Sequence, residues 1–98
     1  MKIKKTENGG TLKIALEGRL DTGTAPELEA ELNQSLGQVE ELYFDFEGLD
    51  YVSSAGLRVL LAAQKTMNRQ GKMVLQNVND NIMEVFEMTG FVDILTIE

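Results

Sequence analysis

The chain has no cysteine, no histidine and no tryptophan, and its single proline is Pro26. Without cysteine there is neither a disulfide framework nor a thiolate metal site, the usual pattern of a protein kept in a reducing compartment. The absence of histidine removes the most frequent general base and the commonest metal ligand together, so Ser-His-Asp and Cys-His arrangements cannot be built. A Ser–Lys pair fares no better: Lys65 stands about 16 Å along a helix from Ser54 at 1.5 Å per residue, and Lys72 lies beyond that helix. Gly-x-x-x-x-Gly-Lys and Gly-x-Gly-x-x-Gly are both missing, so neither usual nucleotide-phosphate cradle is present. No apolar run approaches about 18 residues and none near the start resembles a signal peptide, so membrane insertion and secretion are not expected and a cytoplasmic location is. Basic residues are also scarce. Nine Lys and Arg stand against sixteen Asp and Glu, for a net charge of −7, which repels phosphate backbones and makes nucleic acid a poor partner. The densest basic group, Lys2, Lys4 and Lys5, reads as protection of an edge strand.

What remains is 98 residues with 43% hydrophobic content, enough for one domain over residues 1–98 that buries roughly 60–65% of its extended-chain surface. Residues 11–17 alternate, with Leu12, Ile14 and Leu16 on one face of a strand, and residues 2–5 pair with it through the Asn8-Gly-Gly10 turn. Thr24-Ala-Pro-Glu27 has the form of a capping box opening a helix with Leu28, Leu32 and Leu36, stopped by Gly37. Residues 42–46 follow as a strand, 54–69 as a helix ended by Gly71, and 73–75 as a strand. Asn79 or Asp80 caps a helix carrying Ile82, Val85, Phe86 and Thr89. Gly90 is its left-handed stop, and residues 94–97 are a last short strand. The expected class is a single small α/β domain, an initial β-hairpin followed by alternating strands and helices with a mostly parallel sheet.

Chemistry concentrates where Ser53-Ser-Ala-Gly56 leads from a strand end into the central helix. Helix-start N–H groups and the positive end of the macrodipole favour a serine hydroxyl, and a phosphate on it more strongly. Capping alone is the commonest role of a serine such as Ser54 at this position. Gly56 in the first helical turn costs roughly 0.5–1 kcal/mol relative to Ala. Close approach of a partner and tight packing on the sheet below are two possible reasons for it. Asp21, Asp45, Glu47 and Asp50 offer oxygen ligands for Mg²⁺, although such carboxylates are most often solvated strand ends or turn caps. A good serine without machinery to activate it describes a substrate better than an enzyme.

The residues so far described resemble those of the STAS domains, and among them the stand-alone bacterial anti-sigma-factor antagonists, over nearly the whole chain. Two segments carry the resemblance: Glu17-Gly-Arg-Leu-Asp21 with the helix after it, and Phe44-Asp-Phe46 through Leu49-Asp-Tyr-Val-Ser-Ser54-Ala-Gly-Leu57 to Leu60-Leu61. The family places its phospho-accepting serine two residues before the glycine, which implies Ser54 here, with Ser53 as second choice. This chain has Ser53 where the family commonly has Asp, and Ala55 where it commonly has a second hydroxyl. The resemblance implies a partner switch. The unphosphorylated protein binds an anti-sigma factor that is also a serine kinase and so frees a sigma factor; phosphorylation breaks the complex, and a PP2C-type phosphatase resets it. Partner-binding residues would be Asp21, Ser53, Ala55 and Gly56, with Asp21 also readable as a turn residue. No cofactor is implied, since ATP and Mg²⁺ would belong to the kinase. The alternatives are a STAS adaptor in a signalling scaffold, the cytoplasmic subunit of a lipid transporter, or a small enzyme or nucleotide-binding module using the acidic strand ends.

Overall fold

The computed structural model describes residues 1–98. The hairpin forms as its turn chemistry demands: β1 (Lys2–Asn8) runs antiparallel to β2 (Thr11–Leu20), with Gly9 at φ 64° in the connection. Next come α1 (Ala25–Ser35), β3 (Glu41–Val52), α2 (Ser54–Gln70), β4 (Lys72–Gln76) and α3 (Asp80–Thr89). The sheet order is β1-β2-β3-β4, with β2–β3 and β3–β4 parallel. This is the mixed, mostly parallel sheet anticipated from the alternation of strands and helices.

Period-two burial sorts the strands. Leu12, Ile14 and Leu16 of β2, Leu42, Phe44 and Phe46 of β3, and Met73 and Leu75 of β4 join Leu28, Leu32, Leu57, Leu60, Met67, Ile82 and Phe86 of the helices in one core of 24 buried residues, as side chains alternating across a pleated strand require. Both central strands outrun their apolar alternation. They continue past register shifts at Ala15/Glu17 and Gly18/Arg19, with Gly18 at φ 105°, so that Leu20 and Val52 finish the parallel pair side by side. Bulges insert a residue and twist the strand locally, which a strict alternation cannot anticipate. Their effect is to carry the β2 and β3 ends to the start of α2.

Several local expectations change. Lys4 and Lys5 do more than guard an edge: Lys4 lies 3.5 Å from Glu17, and Lys5 pairs with Glu31 at 2.8 Å and donates to the Ser35 hydroxyl at 2.9 Å, fastening β1 to α1. The capping box at residues 24–27 does not form, because the Thr24 hydroxyl turns back to donate to the Arg19 carbonyl at 2.7 Å. Gly37 does not end α1 by a left-handed turn; Leu36 closes it, and the Gln70 amide donates to the Leu36 and Val39 carbonyls, both at 2.8 Å. Thr89 leaves the apolar face and is exposed, bonding back to the Val85 carbonyl at 2.7 Å. The expected strand at residues 94–97 shrinks to a single parallel bridge between Leu75 and Ile97 after a 3₁₀ turn at Phe91–Asp93. That bridge has two hydrogen bonds, from Leu75 N–H to Thr96 O and from Glu98 N–H to Leu75 O, each 2.9 Å. Asn79 caps α3 by accepting from Ile82 N–H at 2.9 Å, and Gly90 at φ 81° ends it, both as anticipated.

Candidate functional site

The Ser53 N–H donates to the Leu20 carbonyl at 2.9 Å, tying the two strand ends together where α2 begins. Ser53 is then extended (φ −92°, ψ 175°), and its hydroxyl accepts from Gly56 N–H at 3.3 Å. The cap is therefore Ser53 and not Ser54, which corrects the capping assignment made above. Ser54 is the first residue of the helix, exposed, with a hydroxyl that forms no hydrogen bond. One residue of offset separates the two roles: Ser53 holds the helix start, and Ser54 is left free beside the unpaired N–H groups of the first turn.

Gly56 is buried by its own chain. A Cβ there would lie 2.7 Å from Leu20 Cγ and 3.0 Å from the Leu20 carbonyl oxygen, so close packing of α2 on the end of β2 requires the glycine. It sets the height of the helix start over the sheet and does not itself reach the surface; Ser53 and Ala55 are half-buried beside exposed Ser54. Ala55 lines a cleft between the starts of α1 and α2, together with Thr22, Ala25, Pro26, Glu29 and Arg58.

Asp21 stands at the end of β2, and its Oδ1 accepts from Gly23 N–H at 3.0 Å and Thr24 N–H at 3.1 Å. The turn role weighed above is thus present in the geometry. The Thr24 backbone bond is the main cause of a carboxyl pKa below the ordinary value, with the Thr24 hydroxyl, Gly23 N–H and Arg19 helping and partial desolvation opposing. Oδ2 lies 3.7 Å from Arg19 Nε, in an ion pair whose side chains are both solvent-accessible. Because the folded pKa is lowered, the turn stabilisation is complete above the ordinary carboxyl range and is lost as pH falls through the lowered value. Asp21→Asn should retain the Oδ1 acceptor but flatten this part of the acid limb of a thermal-stability profile, whereas Asp21→Ala should lower the melting temperature at neutral pH as well. Coincident acid limbs for wild type and Asp21→Asn would deny the carboxylate that role.

Sequence reasoning assigned no role to two flanking residues, Arg19 and Tyr51. They are register partners across β2 and β3, and the Arg19 guanidinium sits 4.3 Å from the Tyr51 ring centroid, a cation–π pair. Only the bulged register brings them together. The acidic strand-end residues do not gather: Asp45 accepts from Asn77 Nδ2 at 2.9 Å and Glu47 N–H at 3.0 Å, bonds that lower its pKa, while Glu47 and Asp50 are exposed. No group of three carboxylates stands within metal-holding distance.

The STAS domain model matches residues 2–98. A Bordetella bronchiseptica protein named "Putative anti-sigma factor antagonist BtrV" is 37% identical over 99 residues, spanning 99% of this chain and 85% of that protein. The anti-sigma-B factor antagonist of Staphylococcus aureus is 29% identical over 97 residues, spanning 97% of this chain and 90% of its own. Among solved structures, the anti-sigma factor antagonist SpoIIAA in its unphosphorylated form superposes with a TM-score of 0.78 at 20% identity, covering 99% of this chain and 87% of that one. The phosphorylated form of SpoIIAA from Bacillus gives 0.77 at 21% identity over 99% and 91%. A family model that omits only the first residue, and a relative alike along the full length, establish that this chain belongs to the STAS domain family.

Proposed function

We propose that this protein is an anti-sigma-factor antagonist working as a phosphorylation-controlled partner switch, with Ser54 as the acceptor. One observation carries the reading: the first helical residue of α2 is an exposed serine whose hydroxyl has no hydrogen bond, flanked by Ser53 and Ala55, which add little bulk. A kinase active site needs such access, and the helix start accommodates the product charge by roughly 0.3–1 kcal/mol. The partner is an anti-sigma factor that is also a serine kinase and supplies ATP and Mg²⁺; a PP2C-type phosphatase reverses the reaction in the cytoplasm. The relatives' names as anti-sigma factor antagonists support this reading. The protein is a substrate in the cycle and not a catalyst, since no base is hydrogen-bonded to the Ser54 hydroxyl and the chain has no histidine. The Asp21 carboxylate, solvent-accessible at the end of β2, is its second contact with the kinase.

Intact-mass measurement after incubation with the anti-sigma kinase and ATP tests the acceptor. One phosphate should appear on wild type and none on Ser54→Ala, which loses no hydrogen bond and should melt as wild type does. Ser53→Ala should still be phosphorylated but be less stable by about 1 kcal/mol for the lost cap. Phosphorylation persisting in Ser54→Ala and absent in Ser53→Ala would move the acceptor to Ser53.

A further inference from the structure

The cation nearest to Ser54 along α2 is Arg58, one turn further on. It is exposed, and it takes no part in the chain's three ion pairs, which use Lys4, Lys5 and Arg19. Residues four apart on a helix share a face with Cβ atoms about 5–6 Å apart, and an anion placed N-terminal to its cation is the more favourable order. Ser54 and Arg58 have that order, with the anion position in the turn where the macrodipole also favours negative charge.

We propose that Arg58 is the internal clamp for a phosphate on Ser54, its guanidinium folding back along the helix to pair with the phosphate oxygens. This rests on Ser54 as the modified residue. A guanidinium matches phosphate geometry through paired N–H donors, and Arg58 has no bonded acid to leave. Charged groups on the adjoining elements include Glu27 and Glu29 in the first turns of α1, Arg19 and Asp21 at the end of β2, and Glu47 and Asp50 of β3, and none of them is ion-paired with Arg58. Glu29 shares the cleft with Arg58 without an ion pair, Arg19 is engaged by Tyr51 and Asp21, and Asp50 is exposed. Phosphorylation then changes the binding face twice, adding a dianion and withdrawing the cation that the unphosphorylated face presents.

The test installs phosphoserine at position 54 during translation, so that no kinase choice enters, in wild type, Arg58→Ala and Arg58→Lys. Phosphorus NMR follows the second ionisation of the phosphate. With the clamp, the wild-type midpoint lies below that of Arg58→Ala by about 0.3 pH unit or more, the size of an exposed helical ion pair. Arg58→Lys falls between, and the difference closes in high salt. Phosphoserine placed at 53 should give a midpoint that does not respond to Arg58→Ala. Superimposable curves for wild type and Arg58→Ala overturn the clamp while leaving Ser54 as acceptor untouched; a failure of Ser54 as acceptor would appear only in the mass measurement.

Discussion

Ser54→Asp is expected to weaken binding to the anti-sigma kinase by about a hundredfold or more, whereas Ser54→Ala should bind as wild type does and remain bound when ATP is present. A hundredfold change needs only about 2.7 kcal/mol. Two like charges 4 Å apart cost about 4 kcal/mol at an effective dielectric of 20, so one carboxylate facing an acidic or desolvated partner group is sufficient. The aspartate carries less charge than phosphate, which adds about −1.5 to −2 at neutral pH, and the variant therefore sets a lower bound on the natural switch. Neither substitution disturbs the fold: Ser54 is exposed and unbonded at the first helical position, where Asp is favoured by the dipole and Ala by propensity. Titration calorimetry on both variants decides the matter, because equal affinities would remove charge repulsion as the mechanism and leave the phosphate to act by bulk alone.

The parts of the fold legible in the sequence are those governed by chemistry within a few residues. Asn8-Gly-Gly10 specifies the hairpin, Asn79 caps α3 through its own side chain, and Gly90 takes the left-handed turn that few other residues adopt. Thr24 and Ser54 depart from the sequence expectation for one physical reason: a cap is a competition, and its winner depends on groups brought in by other elements. Asp21 Oδ1 takes the Thr24 N–H, and the Thr24 hydroxyl accepts from the Asp21 N–H at 2.8 Å while donating to the Arg19 carbonyl, so the box has nothing left to form with. At α2 the Leu20 carbonyl holds the Ser53 N–H, and this places Ser53 at the cap and Ser54 one step into the helix.

The candidate site divides in the same way. Its two serines and Asp21 could be located from local pattern and family resemblance, because the strand-to-helix junction is written in consecutive residues. The pairing of Arg19 with Tyr51 could not, since it depends on two register shifts that bring residues 32 positions apart to one place. Gly56 stood between two explanations that the sequence weighs equally, and only the position of the Leu20 side chain and carbonyl separates them.

Gly56→Ala should accordingly lower stability and spare recognition. In an unobstructed helix this change would be stabilising by roughly 0.5–1 kcal/mol. Here the new methyl would lie 2.7 Å from Leu20 Cγ and 3.0 Å from both Leu20 Cδ2 and the Leu20 carbonyl oxygen. Leu20 is fully buried, and its carbonyl is the acceptor that ties the strand ends to the helix start, so it cannot withdraw without loosening the Ser53 N–H bond at 2.9 Å. Overpacking of this kind costs about 1–3 kcal/mol, which outweighs the gain in helix propensity. For a domain of this size each kcal/mol moves the melting temperature by roughly 4–8 °C, so a fall on the order of 10 °C is expected. Affinity for the kinase, measured well below that transition, should stay within about threefold of wild type, since Ser53, Ser54 and Ala55 keep their exposure. A variant that melts at or above the wild-type temperature but no longer binds would instead assign Gly56 to the close approach of the partner.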